Sequence, residues 1–149
     1  MRIVKEGTLN NMHLSGLPQF LWNFAMAHKV NTLNRNYSEG TLVNADSQYL
    51  VPHERKFKGD KPDINTMAVF GCKTYVYVDA DTRAQNVNPA YIGYFVGNTY
   101  NMIGYNVYSP SRRGVYEAFH VKFNTQIMYK DEWGPEKRRK KTFRGTLCR

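Results

Sequence analysis

The chain has little of what anchors or staples a protein. In 149 residues no apolar run approaches the roughly 18 that a membrane-spanning helix needs, and the opening MRIVKEGTLNNMHLSG has no continuous apolar stretch to act as a secretory signal. A soluble, unsecreted chain without a membrane partner is the expectation. Cysteine is scarce: Cys72 follows Val69-Phe70-Gly71 and Cys148 lies near the end, neither in a CxxC pair, which argues against a disulfide framework or a thiolate zinc site. His13, His28, His53 and His120 never fall at i, i+4 or beside a cysteine pair, so no zinc ligand set is expected. No serine sits in a nucleophile elbow, and no cofactor is implied.

Acid is also in deficit. Twenty-one Lys and Arg against twelve Asp and Glu leave a net charge of +9, which points toward a polyanionic partner. The placement is uneven. Between Gly134 and Arg149 stand seven basic residues (Lys137, Arg138, Arg139, Lys140, Lys141, Arg144, Arg149) and one acid, Glu136, so this tail holds six of the nine net charges. It shows no period, and disorder is expected for it in isolation.

What is present is enough apolar material, 42% of residues, for one ordinary packed domain. Ser15-Gly16-Leu17-Pro18 breaks the chain, and Pro18 suits a first helical position, where its missing N–H costs nothing. A helix is expected to follow to about Leu33, with Leu17, Phe20, Leu21, Phe24, Ala25 and then Val30 or Leu33 on one apolar stripe and His28 at its margin. Ile3 to Leu14 reads as a shorter helix weakened by Gly7 and Asn10-Asn11. From Asn34 to Pro62 the text turns polar, a connector with room for one helical turn.

Beyond it the period changes to two. Residues 74–78, 91–96, 104–108, 115–119 and 121–123 are short segments rich in β-branched and aromatic residues, separated by turn chemistry such as Asn86-Val87-Asn88-Pro89 and Ser109-Pro110-Ser111. Five short strands at this spacing favour a small closed antiparallel barrel, because closure removes bare edges. The fold class is α+β: an amino-terminal helical arm, a small antiparallel barrel and a disordered basic tail.

Three phrases carry a resemblance. The first is Ser15-Gly16-Leu17-Pro18-Gln19-Phe20-Leu21-Trp22 with Asn31-Thr32-Leu33-Asn34-Arg35. The second runs from Pro52-His53-Glu54 through Gly59-Asp60-Lys61-Pro62-Asp63-Ile64 to Val69-Phe70-Gly71-Cys72-Lys73-Thr74-Tyr75-Val76. The third is Gly93-Tyr94-Phe95-Val96-Gly97, Gly104-Tyr105-Asn106-Val107-Tyr108-Ser109-Pro110 and Val121-Lys122-Phe123. In this order they resemble copia-type retrotransposon polyproteins where the integrase core joins the retroviral polymerase SH3-like domain. The resemblance implies a helical remnant of the integrase core at 1–50, a connector at 51–68, an SH3-like barrel at 69–127 and a basic tail at 128–149. Departures, among them Asn98 where an aromatic is common and His120 near an acidic position of the family, read as a drifting or domesticated copy.

Strand transfer in that family needs three carboxylates holding two metal ions. The last of them lies well over a dozen residues before the SGLP phrase, ahead of Met1 here, and the others lie further upstream. No catalysis and no bound metal are therefore expected. Glu6 is too close to Ser15 to serve and reads as a solvated helix charge; Asp79-Ala80-Asp81 reads as turn chemistry.

Nucleic-acid contacts are expected from Lys56, Lys58 and Lys61 before the first strand, Arg112 and Arg113 at a hairpin tip, Lys122 on a strand, and Lys137, Arg138, Arg139, Lys140, Lys141 and Arg144 in the tail. Such contacts would be largely nonspecific toward DNA or RNA. The run 137–141 also reads as a nuclear localisation signal, with the cytoplasm as the other address. Tyr75, Tyr77, Tyr94, Tyr105 and Tyr108 read first as barrel walls and second as base-stacking platforms. Two other functional readings stand beside DNA binding: an SH3-like protein-interaction module tethering an integration complex, and a degenerate copy without function. The apolar helix face, including Leu17, Phe20, Leu21, Trp22 and Phe24, is expected to dock on the barrel, on the remainder of an integrase, or on a second copy, or else to aggregate.

Overall fold

The computed structural model describes residues 1–36, 51–57, 60–82 and 88–134. Helices α1 (Arg2–Ser15), α2 (Trp22–Arg35) and α3 (Pro52–Lys56) precede strands β1 (Cys72–Tyr77), β2 (Ala90–Asn98), β3 (Tyr105–Ser109), β4 (Gly114–Ala118) and β5 (Val121–Met128), and a short helix α4 (Tyr129–Trp133) follows. The fold is α+β, as the change of period from helical to two requires.

Helix α1 runs unbroken through Gly7 and Asn10-Asn11, against the weak helix expected there, because tertiary packing overrides propensity. A side chain at Gly7 would meet the Lys29 stem of α2 as close as 2.2 Å. The helix stops at Gly16, whose left-handed backbone (φ 69°) lets its N–H return to Met12 O at 2.9 Å. Pro18 is extended (ψ 142°) and leads into a single 3-10 turn, Gln19–Leu21, so α2 begins at Trp22 and not at Pro18. The interruption lets Leu17 and Leu21, on either side of Pro18, both reach the interior, at 6% and 1% exposed.

All strand pairings are antiparallel, in the order β4-β3-β2-β1-β5. Only Phe119 and His120 separate β4 from β5, yet these strands stand at opposite ends of that order. In a flat sheet they would lie about 19 Å apart, four spacings of roughly 4.8 Å. Three residue steps reach about 11 Å at most. The sheet must therefore roll up, as the sequence period suggested.

Rolling gives the sheet an inside and an outside, and β2 is buried on both. Phe95 points inward, edge-on to Phe123 and Tyr105 at 5.3 and 6.1 Å. Tyr94 and Val96 point outward into a cluster with Leu17, Leu21, Ala25, Phe70, Tyr108 and Tyr129. The apolar helix face docks on the sheet through Leu17, Leu21 and Ala25. The stripe is only partly used: Phe20 and Trp22 stay 62% and 53% exposed, and Val30 is exposed as well.

Three distant segments meet at Gly71. Its backbone is left-handed (φ 80°), and an added Cβ would lie 2.2 Å from Cβ of the fully buried Ser15. Its N–H donates to Phe95 O at 2.7 Å, and its carbonyl accepts from Tyr129 N–H at 3.1 Å. The SGLP and FGC phrases of the sequence are thus spatial neighbours. Leu17, Leu21 and Ala25 of the arm share one core with the barrel, and Tyr129 of α4, 2% exposed, belongs to it too.

Candidate nucleic-acid interface

The turn between β3 and β4 carries Arg112 and Arg113, both exposed, with Arg113 in the left-handed region at φ 50°. This confirms their expected place at a hairpin tip. The Arg112 guanidinium lies 4.4 Å from the Tyr91 ring centre and 5.8 Å from that of Tyr116, which fixes it over two π faces. Burial raises the Tyr91 hydroxyl pKa, and the neighbouring Arg112 charge works against that rise. Lys122 on β5 is exposed and stands opposite Tyr75 of β1.

Lys56, at the end of α3 and 5.5 Å from the Phe57 ring, and Lys61 in the following coil are exposed too. Their segment approaches the sheet elsewhere. Thr66 O accepts a hydrogen bond from Asn98 at one end of β2, whereas Arg112 sits on Tyr91 near the other. Those two positions are about 23 Å apart along the strand. Lys58, Lys137, Arg138, Arg139, Lys140, Lys141 and Arg144 lie outside the described residues.

None of Lys56, Lys61, Arg112, Arg113 and Lys122 is in an ion pair among the described residues. Lys73 is the contrast. It is 8% exposed, and its Nζ lies 2.6 Å from Glu132 Oε1. The Tyr94 hydroxyl donates to the other carboxylate oxygen of Glu132. The hydrogen bond to Glu132 raises the Lys73 pKa, and burial, then the same carboxylate, raise that of Tyr94. This charge ties α4 to the sheet and is not offered to a ligand. Both lysines stand in strands, and it is the packing of α4 on the sheet that pairs Lys73.

The tyrosines divide likewise. Tyr94 and Tyr108 are buried and Tyr75 and Tyr105 are half-buried, in keeping with walls, but Tyr77 is 52% exposed. Period-two spacing shows that Tyr75 and Tyr77 share a face; it does not show which part of that face the helices cover.

Other candidates resolve into structure. Glu6 is exposed and pairs with Arg2 at 2.7 Å, one helical turn away. Asp79 and Asp81 are exposed around the 3-10 turn Ala80–Thr82. Among the described residues no group of three His, Cys, Asp or Glu is placed to hold a metal ion. Cys72 is buried, and burial pushes its thiol up to about 11. His28 is not marginal: it is buried between Phe70 and Phe95, at ring distances of 5.6 and 5.7 Å.

Comparison with known proteins adds a match over part of the chain. No curated protein and no solved structure matches the chain. Residues 72–137, from the first strand through α4, match the family model of the retroviral polymerase SH3-like domain. A rolled five-stranded sheet with this match supports the chain as a fragment of a retroelement polyprotein that carries an SH3-like domain.

Proposed function

We propose that the chain is a copia-type, integrase-derived fragment that binds nucleic acid without base preference and performs no strand transfer itself. The observation that carries this reading is the set of exposed cations Lys56, Lys61, Arg112, Arg113 and Lys122 on and beside an SH3-like domain, none of them in an ion pair among the described residues. Lysines and arginines left unpaired can displace counterions from phosphates, which gives affinity without sequence information. The basic run 137–141 adds charge and a candidate nuclear address. In the parent polyprotein such a surface positions DNA for chemistry carried out by another domain.

The test is duplex DNA binding across a salt series. If the tail engages four or five phosphates, log affinity falls against log salt with a slope of roughly −4. Deleting 134–149 together with neutralising Lys56, Lys58, Lys61, Arg112 and Arg113 is expected to abolish retention. Salt-insensitive binding, or magnesium-dependent strand joining by the purified chain, contradicts the proposal.

A protein-interaction role is the second reading. It is favoured by an apolar groove of about 760 Å³ between α1 and the start of α2, lined by Val4, Leu9, Met12, Leu17, Trp22 and Met26 among others. Partner capture that ignores both salt and nucleic acid would select it.

A further inference from the structure

We propose that the uncovered outer face of β1 and β5 is a stacking site for single-stranded nucleic acid, with Tyr77 and Tyr75 receiving bases and Lys122 receiving phosphate. The proposal rests on the nucleic-acid reading above and assigns it a ligand class and a place.

Directly opposed residues in neighbouring strands share a face. Tyr75 opposes Ile92 on one side and Lys122 on the other, and Tyr77 opposes Ala90. Tyr77 N–H donates to His120 O at 2.9 Å, which brings exposed His120 alongside. Further along the same face, Lys73 opposes Tyr94, and there the helices and α4 close over the sheet. Tyr94 is 0% exposed, whereas Ile92 and Tyr77 are 46% and 52% exposed. Cover ends between these rows, leaving Tyr77, Ile92 and Lys122 exposed and Tyr75 half-buried between them.

The spacing selects the ligand. Residues two apart on a strand are separated by about 6.6 Å, nearly twice the roughly 3.4 Å rise between stacked nucleotides. Bases lying on both rings must first come apart from each other. A duplex hides its base faces within the stack, but a single strand can present them, and aromatic rings accept any base. The carboxylates Asp79 and Asp81 follow Tyr77 in the chain, while Lys122 lies on β5, so the phosphates run on the β5 side. Lys73 Nζ, 5.6 Å from the Tyr75 ring and held by Glu132, fixes the inner edge of the platform.

Fluorescence anisotropy with labelled oligothymidylate, oligouridylate and a duplex, each of about 12 nucleotides per strand, tests this on the full chain. Tyr77→Ala is expected to weaken single-strand binding about tenfold while leaving duplex binding unchanged, and Tyr77→Phe to retain both. Lys122→Gln should lower the single-strand salt slope by about 0.7. Unchanged thermal unfolding of Tyr77→Ala shows that the loss is not one of folding. Comparing the two single strands tells DNA from RNA. Tyr77→Ala that binds single strands like the parent, or that loses duplex equally, overturns the platform but leaves the cationic reading standing. Absence of binding to all three probes overturns both.

Discussion

His28 shows how one side chain sets a condition on the whole fold. Its Nε2–H donates to Ala68 O at 3.1 Å, and its buried Nδ1 has no hydrogen-bond partner among the described residues. Burial lowers its pKa below the ordinary 6.5; the contact with Ala68 opposes this, and the Lys29 charge adds to it. The folded protein thus takes up a proton less readily than the unfolded chain. The associated stability is complete above the unfolded value and is lost as pH falls through the lower folded value. Urea unfolding is expected to show an earlier midpoint at about pH 5 than at about pH 7, and His28→Gln to flatten that difference. Equal slopes in both proteins would show that another group governs the acid side.

Among the elements, the short connection between α1 and α2 holds the arm on the sheet. Leu21, on the 3-10 turn, is 1% exposed and packs in the cluster with Tyr94, Val96 and Tyr108, while its neighbours Phe20 and Trp22 face solvent. Leu21→Ala is expected to cost about 2–5 kcal/mol. Trp22→Ala should cost less than Leu21→Ala, because about half of the Trp22 surface stays in solvent. Chemical denaturation of the two variants checks the contrast, and similar losses would mean that the arm is not seated as described. Local signals read this region only in part. Gly16 as a stop was legible, because a left-handed cap favours glycine; the start of α2 at Trp22 was not, because Pro18 satisfies the rules for a first helical residue equally well. Helix α4 was missed for a related reason. Five residues are too few to show a period, and Tyr129 is held by Gly71 and the core, far away in sequence.

At the scale of the molecule, arm and barrel share one cluster of side chains, so they are expected to unfold together. Denaturation followed by tryptophan fluorescence, from Trp22 on the arm and Trp133 on α4, should coincide with the loss of far-ultraviolet dichroism in a single transition. Two separated transitions would show that arm and barrel unfold independently. The sequence by itself determined the α+β class, the five strands, the hairpin that carries Arg112 and Arg113, and the excess of positive charge, since each follows from local period, turn chemistry or composition. The tertiary structure alone decided that Lys73 is consumed by Glu132 while Lys122 has no ion pair among the described residues, and that Tyr94 is a wall while Tyr77 is a surface. Those fates depend on where helices distant in sequence come to rest on the sheet, and the alternation of side chains along a strand is the same whether a face is covered or bare.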